Sequence, residues 1–225
     1  QCLNNDMLTK KELEDWFEDH WNIIVDLHIS INNALRLKKE TYQYEEQIKR
    51  HGFFQHHWYQ LKFIMIVQLA KLFDDGSNQR RNFHKLFNRL TNEKYDEEIE
   101  TLLKSNSDQM FTNVFKSRKE IEQTADEMRS ELKQQESVIE KVIEARDKVD
   151  AHRDPKATVK AVTSDELKLL IDLSAYIFNN TRGKLFNVHT EFKGTPDWDV
   201  DFVLREASEN RKKVLDMFEK MKRGE

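Results

Sequence analysis

Arg146 occupies a place where the side-chain spacing asks for an apolar residue, on the line through Ile139, Val142 and Val149. A guanidinium there must reach solvent, pair with a carboxylate or serve a ligand, because burying it unpaired costs several kcal/mol or more. His152 follows on the same stretch, about 9 Å further in axial rise and roughly 120° round the axis if the helix continues. The two residue types suit phosphate chemistry. An imidazole moves a proton around neutrality, and a guanidinium presents a planar fork of donors to a phosphate whose charge grows in the transition state. The spacing leaves a structural reading open beside the chemical one. Arg146 can pair with Asp147 or Asp150 while His152 caps the last turn, where a cation is favourable.

The elements that must position this pair are helices. Thr9 and Glu12 form a capping box, followed by one face of Leu13, Phe17, Ile24, Leu27, Ile31 and Leu35. A second long helix is expected from about Tyr42 to Phe73. It is apolar nearly all round between Leu61 and Phe73, as in an element packed on several sides. The breaker cluster Asp74 to Asn78 ends it. Two short helices follow, one with Phe83, Leu86, Phe87 and Leu90, the other with Ile99, Leu102 and Leu103. A heptad-like seam then runs through Ile121, Ala125, Met128, Leu132, Gln135, Ile139, Val142, Arg146 and Val149, and stops before Pro155. Such a seam serves equally inside one subunit or between two. Thr163 and Glu166 cap the next helix, whose face is Leu167, Leu170, Ile171, Ser174, Ile177, Phe178, Thr181, Leu185 and Val188. Thr195 and Pro196 open the last, with its stripe at Val203, Ala207, Val214, Phe218 and Met221.

Composition agrees. Five Gly and two Pro among 225 residues, with 35% charged, supply little for sheets or tight turns. We expect one all-α domain over residues 1–225, a helical bundle of long antiparallel helices with shorter helices between the second and third long ones. Cys2 is the only cysteine, which rules out an internal disulfide and a cysteine-built zinc site and fits a reducing compartment. The chain opens on Gln1 rather than Met. It shows no basic leader, and its longest apolar run, near Phe63 to Leu69, is too short to cross a bilayer, so the expectation is a cytoplasmic protein with no membrane partner. A net charge of −4 offers nucleic acid no overall attraction, so any such contact is local.

The string Ala145-Arg146-Asp147-Lys148-Val149-Asp150-Ala151-His152-Arg153-Asp154 resembles the signature of HEPN domains, an arginine followed after four to six residues by a histidine. With Leu72-Phe73-Asp74 closing the preceding apolar helix, it looks like the AbiU-type abortive-infection branch, over about Phe53 to Phe186. The resemblance implies a helical bundle that forms a homodimer with two Arg-His pairs in a shared cleft, in many members a metal-independent endoribonuclease. Carried over by position, Arg146 and His152 are the catalytic pair and Asp147 is the polar residue that follows the arginine. Lys148, Arg153 and Asp74 are assigned to substrate binding. Neither metal nor cofactor is implied. The chemistry would be attack of an RNA 2′-hydroxyl on the adjacent phosphorus, leaving a cyclic phosphate. RNA, a second copy of the chain and an antitoxin or regulatory protein are the implied partners. Some members carry a tyrosine two residues beyond the histidine as a modification site; Asp154 stands there, so that route of regulation is not implied.

Other groups carry weaker signals. His56 and His57 are adjacent and so point to different faces, unlike the i, i+4 pair of a helical metal site. His84 follows Arg80 and Arg81 and suits a phosphate, although a solvated basic turn explains it as well. The Glu/Lys-rich stretch from Lys119 to Lys141 reads as a solvated face. The leading functional class is therefore a ribonuclease of toxin or phage-defence type. The competing class is a non-catalytic helical RNA-binding or protein-interaction module, in which Arg146 makes a structural ion pair.

Overall fold

The computed structural model describes residues 7–76, 79–108, 113–150, 161–192 and 198–224. It is all-α apart from one two-residue parallel pair, Met7–Leu8 (β1) with Lys94–Tyr95 (β2). The helices are α1 (Lys10–Lys38), α2 (Glu45–Lys49), α3 (Gly52–Phe73), α4 (Phe83–Asn92), α5 (Glu97–Ser107), α6 (Arg118–Gln134), α7 (Glu136–Asp150), α8 (Ser164–Phe178), α9 (Lys184–Phe186) and α10 (Val200–Arg223). A π-helical turn, Asn179–Gly183, joins α8 to α9. Among the described residues no helix is long and apolar enough to cross a membrane.

The chain is organised as two compact units, one built from residues 1–25 and 66–192, the other from 26–65 and 193–225. In the first, α4 lies on α6, and α7 packs on both α6 and α8. Both expected capping boxes form. The Thr9 hydroxyl accepts from the Glu12 amide at 3.2 Å while Glu12 takes the Thr9 amide at 3.1 Å, and Thr163 and Glu166 do the same for α8. Phe83, Leu86, Phe87 and Leu90 bury the whole apolar stripe of α4. The seam residues Ile121, Ala125, Met128, Leu132, Ile139 and Val142 are all buried within the chain itself, with Gln135 as a one-residue break between α6 and α7. On the α1 face Leu35 is exposed, and Ala34 is buried instead.

The second unit departs further from expectation. The stretch Tyr42 to Phe73 is two helices. Glu45 is drawn inside, where it accepts from Arg36 and from the amides of Thr41 and Tyr42, so α2 is wrapped around its carboxylate. His51 then turns the chain, and its Nδ1 accepts from the Phe53 amide at 3.3 Å as α3 begins. Along α3, Phe63 and Ile64 are exposed; beyond them Met65, Ile66, Leu69, Ala70, Leu72 and Phe73 are buried, Val67 and Gln68 half-buried and Lys71 exposed, so burial is not all round. The last helix starts at Val200, capped by Asp199; Thr195 and Pro196 lie outside the described residues. Its buried positions are Val200, Leu204 and Ser208, and it packs on α2; of the expected stripe, Val203, Phe218 and Met221 are exposed while Ala207 and Val214 are half-buried.

At the other end of α8 the chain does not reach Val188 as helix. Asn187 takes a left-handed φ of 57° and ends it, leaving Val188 exposed. The Val188 amide closes this end on the Gly183 carbonyl at 3.1 Å.

Candidate functional site

Asp74 is the first residue after α3, and its amide still bonds to the Ala70 carbonyl at 2.9 Å. The chain must turn here, and the Asp74 carboxylate helps it do so: Oδ1 accepts from the Gly76 amide at 2.9 Å. This is the Asx-type bond that makes aspartate a turn former. The Asp74 carbonyl is held by Asn82 Nδ2 at 2.7 Å, while Asn82 Oδ1 caps α4 through the Lys85 amide at 2.8 Å. One fully buried asparagine thus ties the end of α3 to the start of α4.

The other carboxylate oxygen of Asp74 faces Arg146, one turn before the last described residue of α7. Arg146 Nη1 donates to Asp74 Oδ2 at 2.7 Å, and Nε and Nη2 donate to Asp147 Oδ1 at 2.8 and 2.6 Å. The Arg146 and Asp74 side chains are only 16% and 15% exposed, whereas Asp147 is 58% exposed. The pair is therefore a largely buried bridge between two helix ends, with one additional, solvated carboxylate. Burial works to raise the Asp74 carboxyl, but the hydrogen bonds from Arg146 and the Gly76 amide, with the positive fields of Arg146 and His84, outweigh it and hold it below its ordinary value. Burial likewise opposes the charge on Arg146, and Asp74 and Asp147 more than restore it. A guanidinium has five N–H groups, and these bonds use three.

Beside this bridge lies a groove of about 400 Å³ lined by Phe73, Asp75, His84, Arg129, Lys133 and Ile143, among others. Its wall is continuous with the bridge in sequence: Phe73 and Asp75 flank Asp74, and Ile143 stands one turn before Arg146. Arg129 is itself held by Asp126 at 2.7 Å and by Asn88 and Thr91 at 3.2 Å, over the ring of Phe87. Lys148 pairs with Glu144 one turn back, which uses it as helix support. Among the described residues no three His, Cys, Asp or Glu side chains gather as a metal site would need.

The structure therefore brings Asp74, Arg146 and Asp147 together and sets Lys148 apart. His152 and Arg153 lie outside the described residues. Arg129 and Lys133 on the groove wall escaped the sequence reading, which took their stretch for a solvated face. The available signal was positional, since Arg129 follows Met128 of the seam and so stands at its edge.

The AbiU2 family model of HEPN domains matches residues 10–193, wider at both ends than the motif-based resemblance. No curated protein and no solved structure matches the chain. The family match spans most of the chain and every helix from α1 to α9, with Arg146 at its bridge to Asp74 inside it, so the chain belongs to the AbiU2 family of HEPN domains.

Proposed function

We infer that this chain is an abortive-infection HEPN protein that cuts RNA without a metal, as a homodimer whose cleft holds Arg146 and His152. The observation that supports the reading most is the Arg146 bridge. A guanidinium fixed by Asp74 and Asp147 at a helix end keeps its fork in one orientation and retains N–H groups for a phosphate oxygen. In the proposed step His152 takes the proton of the 2′-hydroxyl, the oxygen attacks the adjacent phosphorus, and the phosphorus–O5′ bond breaks. A 2′,3′-cyclic phosphate remains and the 5′-oxygen gains a proton, while Arg146 stabilises the charge on the phosphoryl oxygens.

A second reading rests on the same bridge. Two carboxylates already neutralise Arg146, which suits a purely structural ion pair in a binding module. Incubation of mixed RNA with the protein in chelator separates the two. Cutting that leaves cyclic-phosphate ends and disappears in both Arg146→Ala and His152→Ala, with helicity retained, is expected. Equal behaviour of folded wild type and both variants would sink the ribonuclease reading.

A further inference from the structure

The second half of α10 is a basic stretch in an acidic protein. The whole chain carries −4, yet from Arg211 to Arg223 six lysines and arginines stand against Asp216 and Glu219. Arg223 has Glu219 as a partner at 3.6 Å; among the described residues Arg211, Lys212, Lys213, Lys220 and Lys222 pair with no carboxylate. The buried positions of α10 lie earlier, at Val200, Leu204 and Ser208. Every residue from Asp216 to Gly224 is exposed, including three large apolar ones, Met217 at 62%, Phe218 at 55% and Met221 at 60%.

The order of these residues round the helix carries the argument. Each residue advances about 100°, so Val214, Met217, Phe218 and Met221 share one stripe roughly 100° wide. Lys213 and Lys220 border it on one side, Arg211 and Lys222 on the other, while Asp216 and Glu219 fall on the opposite face. Compensation of the helix dipole explains Lys220, Lys222 and Arg223 in the last turn, but neither Arg211 to Lys213 nor the exposed apolar side chains. An apolar stripe with cations along both borders matches the layering of an anionic lipid surface. Acyl chains receive the stripe, and the lysine and arginine stems lie along it while their charged ends reach the headgroups. A second copy packed on this half of the helix would set border cations against border cations. A nucleic acid would take the cations and leave the stripe in water.

We propose that the second half of α10 lies on an anionic membrane surface, with Met217, Phe218 and Met221 at the outer acyl chains and Arg211, Lys213, Lys220 and Lys222 at the headgroup phosphates. The helix lies in the interface and does not cross it; among the described residues no helix is long and apolar enough to do so. The expectation of no membrane partner rested on the lack of a spanning segment, which an interfacial helix does not need. Three apolar side chains hold a helix weakly, so the attachment needs the stripe and the cations together and is reversible. The proposal is independent of the ribonuclease reading, since α10 lies beyond residues 10–193 of the family match.

The test is cosedimentation of the full chain with vesicles of three parts phosphatidylcholine to one part phosphatidylglycerol, beside vesicles of phosphatidylcholine alone. Binding is expected on the anionic vesicles, about tenfold weaker or less on the neutral ones, and falling as salt is added. Phe218→Gln with Met221→Gln and, separately, Lys213→Glu with Lys220→Glu should each weaken it by about tenfold. All four positions are exposed, so both double variants should keep the helicity of the wild type. Phe218→Trp should bind at least as well as the wild type, because an indole is favoured at the membrane interface. Lys168→Glu, an exposed charge change on α8, should leave binding within about twofold. Absence of binding by the wild type overturns the proposal, as does equal binding by the wild type and both double variants. Equal binding to neutral and anionic vesicles removes the role of the cations and overturns it too. If Phe218→Gln with Met221→Gln instead changes the sedimentation of the free protein, the stripe joins copies and the proposal falls. A chain that ignores vesicles but binds labelled RNA, and loses it with the lysine changes, assigns these cations to nucleic acid and equally overturns it.

Discussion

Asp74 and Arg146, 72 positions apart in the chain, meet at 2.7 Å and join the end of α3 to the end of α7. Each is an unfavourable residue to bury alone, and each removes the cost of the other. Asp74 also shapes its own turn through the Gly76 amide, so a single carboxylate serves the backbone with one oxygen and the arginine with the other.

A double-mutant cycle measures that coupling. Asp74→Ala and Arg146→Ala are each expected to destabilise by about 1–3 kcal/mol, since each leaves a buried polar partner unsatisfied. The double variant should cost about 1 kcal/mol less than their sum. Urea unfolding followed by circular dichroism checks this, and strict additivity would mean that the bridge contributes nothing.

Stability should fall as pH drops from about 6.5 towards 4, because of His20. This ring is fully buried, its Nε2 accepts from Trp16 Nε1 at 3.1 Å, and burial pushes it down to about 4. Nε2 also lies 3.3 Å from the Arg81 carbonyl, which would accept from a protonated ring, but this only partly offsets the cost of burying the charge. The unfolded chain binds a proton at about 6.5 and the folded chain only near 4, so stability is complete above the first value and declines between them, by about 2–3 kcal/mol. His20→Gln should flatten the curve in that window. An unchanged pH profile in the variant would assign the slope to other groups.

A second, more acidic loss belongs to Glu45. Burial opposes its charge, but Arg36, Lys49 and the amides of Tyr42 and Thr41 bring it down to about 2. Its folded value lies below its ordinary 4.5, so its contribution is present above about 4.5 and is lost as pH falls towards 2. Glu45→Gln keeps the shape and removes the charge, leaving Arg36 poorly matched. The expected cost is about 2–3 kcal/mol at neutral pH, shrinking on acidification, read from thermal unfolding at pH 7, 4 and 3.

Gly183 is required by a close approach. A methyl group there would sit 2.9 Å from the Val188 carbonyl oxygen, a backbone atom that cannot swing aside. Gly183→Ala should therefore cost about 1–3 kcal/mol by overpacking, offset in part by the roughly 1 kcal/mol that alanine normally gains over glycine in a helix. Wild-type stability in this variant would show that the chain after α9 moves freely.

Much of the fold was legible because it is local. Capping at Thr9 and Thr163, the breaker after Phe73, the four buried residues of α4 and the seam of α6 and α7 all follow from neighbours within a turn or two. The ends of helices were read less well where a distant residue intervenes. α2 exists as a separate helix because Arg36 and two amides draw Glu45 inward, and on α10 the buried positions are Val200, Leu204 and Ser208 rather than the expected stripe, of which Val203, Phe218 and Met221 are exposed.

The candidate site divides along the same line. The sequence by itself determined the helical class, the Arg146-to-His152 string and the anomaly of a charge on an apolar seam. Only the tertiary structure decided that Asp74 is the partner of Arg146 and that Lys148 turns back to Glu144. The physical reason is range. Periodicity and capping act over one or two turns, whereas an ion pair or a cation over a ring is set by which helices pack together, and pairwise spacing in the chain does not encode that.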